Sequence, residues 1–551
     1  MKQILFISLF VIQVSVINSQ WISNISGKSN SDTYIENARG MAITVDNEEY
    51  SYVAGYISGI SSGKDIAVIK YSPLGDTVWM KTFNGTENSD DEASAIVLGS
   101  DGSIYVTGFV SNNFTGKDII LLKYKSSGDL EWSINYFYNG SYADDRGLDM
   151  KIDNSDNIFL TGYVTDNSGN VLIAAQKYSS GGALIWSTID LSFSGTNHGK
   201  KIETDNSGNA YVTGFVNQGG SSDIVLVKYN TAGNIVFRQT AGGSGEDKAW
   251  GIAVDDDSFI YITGYTTNSE RNTDCFTAKY NVFGEMLWSR TFNGNGNAED
   301  KAWGIAVDDD NAVYITGNAA DIQNNSNFIV IKYSSTGSTI WEAEYDGSGS
   351  GNDKANVIGL IYTNDSVTSV VAAGESWGTE GNYDFAAVRF DAATGQQISA
   401  NRYSMSTNTD DAVLDMAVSV INGKIFLTGY SELIIESMNI QSYITSLMLL
   451  INTQHESISN SLIPKSYILS QNYPNPFNPL TTINFGLPEN AEISLKIYDV
   501  LGRIVDIPFN GYMNAGFYSY RFKSTDLPSG IYFYSLSSAN FSETKKMIII
   551  K

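Results

Sequence analysis

Six aspartates open apolar runs at recurring positions: Asp91, Asp145, Asp247, Asp300, Asp353 and Asp411. Four of them precede a glycine by 17 residues (Gly108, Gly162, Gly264 and Gly317), and Asn197 keeps the same distance to Gly214 with an amide in the acid's place. Carboxylates repeated in this way gather at one end of whatever axis the runs surround. A ring of them could attract a divalent cation such as Ca²⁺ or a basic group, and strand capping by solvated charge is the competing role. A second acidic set, Asp153 to Asn157 and Asp308 to Asn311, superficially resembles calcium loops. It lacks the downstream Gly and Glu of an EF-hand, so Asx-turn chemistry is the better reading.

Catalytic sets are thin. His198 and His455 are the only histidines and Cys275 the only cysteine, too few for a zinc cluster. Neither histidine lies near a nucleophile-elbow pattern, and no phosphate-cradling glycine loop occurs. Cys275 occupies an apolar strand slot and reads as buried filler. Paired acids for glycoside hydrolysis stay open, because their separation depends on the tertiary fold. The expectation is therefore no enzyme and no cofactor, with a polysaccharide hydrolase or lyase as the alternative. Trp377, in an irregular stretch of the seventh repeat copy, is the best single candidate for a glycan or protein contact.

The elements that must position these residues repeat about every 50 residues. A glycine closes an apolar run at Gly55, Gly108, Gly162, Gly214, Gly264, Gly317, Gly374 and Gly429. Lys-Tyr pairs follow at Lys70, Lys123, Lys177, Lys228, Lys279 and Lys332, with Arg389-Phe390 as a seventh copy. Nine positions after the Lys come Trp79, Trp132, Trp186, Phe237, Trp288 and Trp341, with Ile398 in the seventh slot. Each copy reads as four strands, rich in β-branched and aromatic residues and separated by Asn/Asp/Gly turns that tolerate positive φ. The repeated tryptophans, with Trp250 and Trp303 of the first strands, read as packing between copies.

A fixed period of short strands means a propeller or an array. The prediction is an all-β chain with an eight-bladed β-propeller, seven blades being the alternative. The eighth copy lacks a fourth strand, and Gln20 to Gly27 resembles Leu287 to Gly294, so the N-terminal strand is expected to close the ring. The runs Asp205 to Phe215 (DNSGNAYVTGF) and Ile224 to Asn234 (IVLVKYNTAGN) resemble the bacterial SBBP-type β-propeller repeat. The resemblance covers roughly residues 36 to 452. It implies a surface or secreted protein and indicates no ligand.

The formal net charge is −26 over 551 residues. Residues 3–459 carry 25 basic against 54 acidic side chains, whereas residues 460–551 carry 8 against 6. So acidic a repeat region repels phosphate backbones and argues against nucleic acid. Lys2 followed by an apolar stretch from Ile4 to about Val16 reads as a signal peptide ending at Ser19. No later segment approaches a membrane-spanning helix in length.

Composition changes after about Asn460, where seven of the eight prolines lie. Strands at about ten-residue spacing there predict a small antiparallel sandwich. The motifs QNYPNPFNP (Gln471 to Pro479), SLKIYDVLGRIV (Ser494 to Val505), LPSGIYFYSL (Leu527 to Leu536) and KKMIIIK (Lys545 to Lys551) resemble the type A sorting domain of the type IX secretion system. That resemblance implies an Ig-like β-sandwich, passage through the periplasm and across the outer membrane of a Gram-negative bacterium, and display or release outside. The organisation is then signal peptide 1–19, propeller 20–452, linker 453–468 and sorting domain 469–551. The functional expectation is a binding, adhesion or structural module that meets the secretion machinery through its tail and a protein or glycan through its propeller.

Overall fold

The computed structural model describes residues 19–25, 37–59, 63–138, 143–243, 245–270, 272–296, 298–349, 351–363, 366–404, 409–421, 423–435, 439–449, 467–469, 472, 475, 477, 480–489, 491–513, 516–524 and 527–550. The predicted signal peptide up to Asn18, most of the predicted linker and His455 lie outside the described residues. Every element among the described residues is a β-strand. The chain divides into two compact units, residues 1–451 and 452–551.

The first unit is a propeller-type array of four-stranded antiparallel sheets. Among the described residues there are eight, numbered here by the chain order of their first strands, and in sheet 2 the short strand Ala143–Asp144 adds a fifth, parallel to Gly116–Tyr124. Sheet 5 illustrates how the repeat folds. Its strands Lys248–Val254, Ile260–Thr267, Thr273–Tyr280 and Met286–Phe292 lie side by side in chain order. The first turn is an Asx turn, with Asp255 Oδ1 accepting the Phe259 amide at 2.8 Å and Ser258 at positive φ. The turn between the third and fourth strands places Gly284 at φ 85°.

The recurring glycine of the second strand answers to close approach. A Cβ on Gly264 would sit 2.0 Å from the Lys248 carbonyl oxygen of the first strand. Just beyond that contact the first strand of every sheet bulges, in sheet 5 between Ala249 and Gly251 and in sheet 4 between Gly199 and Lys201. A bulge leaves one residue unpaired and re-aims its side chain.

Neighbouring sheets are locked by the fourth-strand aromatics. The Trp288 indole lies against Gly337 in the turn of sheet 6, where a Cβ would come within 2.6 Å of the ring, and its N–H donates to Ser335 O at 3.1 Å. The same indole-on-glycine contact joins Trp79 to Gly128, Trp132 to Gly182, Trp186 to Gly233 and Trp341 to Gly395. The Lys of the Lys-Tyr pair adds to this seam: Lys228 Nζ reaches Val282 O at 3.1 Å and Lys332 Nζ reaches Ala392 O at 3.0 Å. Between sheets lie apolar cores such as Tyr261, Cys275, Ile315, Ile329 and Ile331. Each large side chain so buried stabilises the array by about 1.5–3 kcal/mol. Burial pushes the Cys275 thiol well up, which leaves it a protonated core group.

Each first strand packs on the first strand of the next sheet, and Ala38–Val45 of sheet 1 also packs on Asp411–Val418 of sheet 8. Strand Ser19–Ile25 pairs antiparallel with Asn439–Leu449 and forms the far edge of sheet 8, with Ile22 opposite Leu447. In sheet 7 the four extra residues between Asp353 and Gly374 lengthen one hairpin, Asp353–Thr363 with Ser366–Trp377.

The second unit has two antiparallel sheets. One orders Ile468–Leu469, Leu480–Leu487 and Gly516–Lys523; the other orders Ile504–Met513, Ala491–Tyr498, Gly530–Ser537 and Ser542–Ile549. Both contribute to a single core that includes Ile483, Phe485, Leu495, Ile497, Tyr534 and Met547.

Candidate functional site

The recurring acids stand where each first strand begins, at one end of the array. Asp91, Asp145, Asp247, Asp300, Asp353 and Asp411 are all buried. Asp300 shows the pattern: Oδ1 accepts the Ala320 amide at 2.7 Å and Oδ2 the Gly294 amide at 2.6 Å. Asp91, Asp145, Asp247 and Asp353 likewise tie the incoming connector to the end of the second strand. Burial pushes Asp91 and Asp145 up to about 6, against the opposing pull of their amide donors. Asn197 does the same work without charge, since Oδ1 accepts Asn217 N and Nδ2 donates to Val171 O, both at 2.8 Å. The side chains of Asp91, Asp145, Asn197, Asp247, Asp300 and Asp353 are thus occupied by backbone. Among the described residues no group of three or more His, Cys, Asp or Glu is placed to hold a metal ion. The hairpin acids form Asx turns, with Asp153 Oδ1 accepting the Ser155 and Asn157 amides.

Trp377 is the last residue of a regular strand, which corrects its expected place in an irregular loop. Its amide occupies the repeat position that binds Asp353, and its ring packs edge-on against Tyr383 at 4.9 Å. The connector covers it further: a Cβ on Gly351 would collide with the indole at 2.2 Å. The irregularity seen in the sequence belongs to the other end of that hairpin.

The array departs from its own pattern at the mouth where the first strands start. The residue preceding each bulge pair is Arg39, Glu92, Arg146, His198, Lys248, Lys301, Lys354 or Ala412, and its partners on the second strands include Tyr56, Phe109, Tyr163, Phe215, Tyr265 and Tyr430. Cations therefore lie on rings: Arg39 over Tyr430 at 4.0 Å, Arg146 over Phe109 at 4.4 Å and Lys248 over Phe215 at 4.9 Å. Arg146, Lys248 and Lys301 are also ion-paired, to Asp144, Glu246 and Glu299. His198 is sandwiched between Tyr163 (4.3 Å) and Phe215 (4.8 Å). Burial, with the charges of Lys200 and Lys248, pushes it down to about 3, so it is neutral at physiological pH.

The bulge residues themselves are Met41, Ser94, Leu148, Lys200, Trp250, Trp303, Asn356 and Leu414. Trp250 and Trp303 do touch across a sheet boundary, with ring centroids 5.3 Å apart, but they are half-buried at the mouth and lie outside the inter-sheet core where the sequence placed them. Lys200 lies over Trp250 at 4.9 Å and Lys354 over Trp303 at 4.3 Å. Farther along the first strands, Lys151 pairs with Glu203 at 2.6 Å and Lys201 with Asp149 at 3.5 Å. Asp415 of sheet 8 acts electrostatically on both lysines. Lys201 keeps 50% of its side-chain surface accessible beside these charges. Lys200 and Lys354 escaped the sequence reading. The available signal for Lys200 was the slot three residues after each first-strand acid position, where small or apolar residues give way to Lys and Trp, whereas Lys354 stands one residue after Asp353, in the slot that also holds Arg146, Lys248 and Lys301.

Residues 237–270 match the Beta-propeller repeat family, SBBP, and residues 471–551 match the Secretion system C-terminal sorting domain. The chain carries a propeller repeat and a type IX sorting tail. That tail directs export to the cell surface or extracellular space and implies contact with the secretion machinery. An uncharacterized WD repeat-containing protein of Acanthamoeba polyphaga mimivirus is 24% identical over 365 residues, covering 54% of this chain and 24% of the relative. Regulatory protein FlaEY of Caulobacter vibrioides is 23% identical over 266 residues, covering 43% and 27%. The chain thus spans about a quarter of the length of the curated relatives it matches. PorZ, a surface component of the type IX secretion system of Porphyromonas gingivalis, aligns over 92% of this chain and 74% of its own at 12% identity, with a TM-score of 0.36.

Proposed function

We propose that this exported propeller is a binding module with no catalytic activity, whose ligand surface is the mouth at which the first strands begin. In this reading the eight sheets are blades of one ring. Strand Ser19–Ile25 closes it, and the packing of Ala38–Val45 on Asp411–Val418 supports the closure. The C-terminal unit is an Ig-like sandwich that serves sorting alone. The observation that carries the binding reading is the half-buried indole pair Trp250–Trp303 in bulge slots that other sheets fill with Met41, Ser94, Leu148 or Leu414. Accessible aromatics at a point that breaks the repeat's symmetry are the usual mark of a ligand surface. Asp91, Asp145, Asp247, Asp300, Asp353 and Trp377 are scaffold here, since backbone amides and the connector occupy them.

The alternative, a polysaccharide hydrolase or lyase, requires free carboxylates at the mouth. Asp144, Glu246 and Glu299 are instead ion-paired, which favours binding. A screen of the full chain against surface glycans and peptides tests the proposal. The leading ligand should be recovered unchanged, and Trp303→Ala should weaken its capture. Turnover of a captured glycan, or capture indifferent to Trp303, would count against it.

A further inference from the structure

Around half of the mouth, four consecutive sheets present one side chain each from the first strand: Lys200, Trp250, Trp303 and Lys354. The two indoles meet at 5.3 Å with their planes 59° apart, making a bent apolar wall. A lysine stands at either end of it, 4.9 Å and 4.3 Å from the nearer ring. The Trp303 N–H is held by Asn318 Oδ1 at 2.8 Å, which fixes that ring's orientation.

The end lysines differ from their neighbours. Lys248 and Lys301 have carboxylate partners; among the described residues Lys200 and Lys354 close no ion pair. Lys354 faces Glu375 across the strand pair at longer range. Lys200 is instead crowded by like charge: burial first, then Lys248 and Arg146, lower it to about 8. In a chain of net charge −26, leaving the Lys200 ammonium without a carboxylate partner costs stability that a solvated pairing would relieve. Such a cost beside an aromatic pair marks a place prepared for an anion.

We propose that the Lys200–Trp250–Trp303–Lys354 wall binds an acidic saccharide, a sugar ring carrying a carboxylate, presented by an extracellular polysaccharide. The indole faces match the flat C–H faces of a pyranose, and the two lysines match carboxylates on either side of it. An acidic peptide offers the charge without the flat ring. A nucleic acid offers both, and stronger binding of a single-stranded oligonucleotide than of the saccharide would overturn the assignment. The proposal rests on the binding reading above and specifies its ligand class.

Titration of the full chain with a short oligogalacturonate, a neutral cello-oligosaccharide and a poly-glutamate peptide tests it. The oligogalacturonate should bind, and more weakly as salt rises. Trp250→Ala and the double variant Lys200→Gln/Lys354→Gln should each weaken it by roughly tenfold or more, the loss of one charge-assisted or stacking contact. A glutamine variant that still unfolds cooperatively, at a midpoint no lower than the natural protein's, would separate lost contact from lost fold. Equal binding of the neutral sugar, preference for poly-glutamate, or indifference to the glutamine variant overturns the acidic-saccharide assignment. If the broad screen yields a ligand that competes at Trp303 while oligogalacturonate fails, only this inference falls. If the screen yields none, the binding reading falls with it.

Discussion

Replacing Asp300 by Ala strips the buried Ala320 amide and the part-buried Gly294 amide of their acceptor. A lost buried charge-assisted pair of this kind should cost about 2–4 kcal/mol, read as a lowered unfolding midpoint. An unchanged midpoint would mean that these acids are not staples. Lys200 carries the opposite signature. Its folded value of about 8 lies below the 10.5 of a free lysine, so its charge opposes folding below about pH 8, and that penalty fades between about 8 and 10.5. The groups acting there are Lys248 of sheet 5 and Arg146 of sheet 3, with Asp144 and Glu246 already engaged by them and His198 neutral. Lys200→Met should therefore melt higher than the natural protein at pH 7, with the gap closing by about pH 10. A gap that persists at high pH would place the effect in packing rather than charge.

At the scale of elements, the repeat is held by two glycine requirements of different origin. Gly264 and its equivalents exist because the first-strand carbonyl leaves no room for a Cβ. Gly337 and its equivalents combine φ near 83° with an indole pressed on the turn. The sequence displayed both as spacing, which is why strand order and turn positions were legible in it. Spacing alone said nothing about the bulge after Ala249 or Gly199, because a bulge is a register shift between two strands and exists only once they pair. The N-terminal strand is the sharpest element-level test. Removing residues 19–25 exposes the edge of Asn439–Leu449 and strips Ile22 and Ile25 from the cores they join. Loss of that apolar area at about 25 cal/mol per Å² should lower stability by several kcal/mol and promote association through the bared edge. A monomeric variant with unchanged melting would refute closure by this strand.

For the whole molecule, the two units carry separable tasks, and deleting residues 471–551 should leave the propeller folded but held in the periplasm. Fractionation that finds the truncated protein at the surface would remove the tail from the sorting role. The sequence by itself determined the all-β repeat, the export tail and the poverty of catalytic groups, because these follow from residue identity and period. Candidate chemistry was another matter. Aspartates that looked like a cation ring turned out to be bonded to backbone, and Trp377, which looked exposed by irregularity, lies under its own connector. Lys200, Trp250, Trp303 and Lys354 stand about 50 residues apart, and nothing local links them. Only the side-by-side packing of first strands from four sheets brings them onto one wall, Lys200, Trp250 and Trp303 through the shared bulge slot and Lys354 from the position two residues before the bulge of sheet 7. Tertiary structure decided the site because its members are neighbours through pairing and register, which a one-dimensional pattern cannot express.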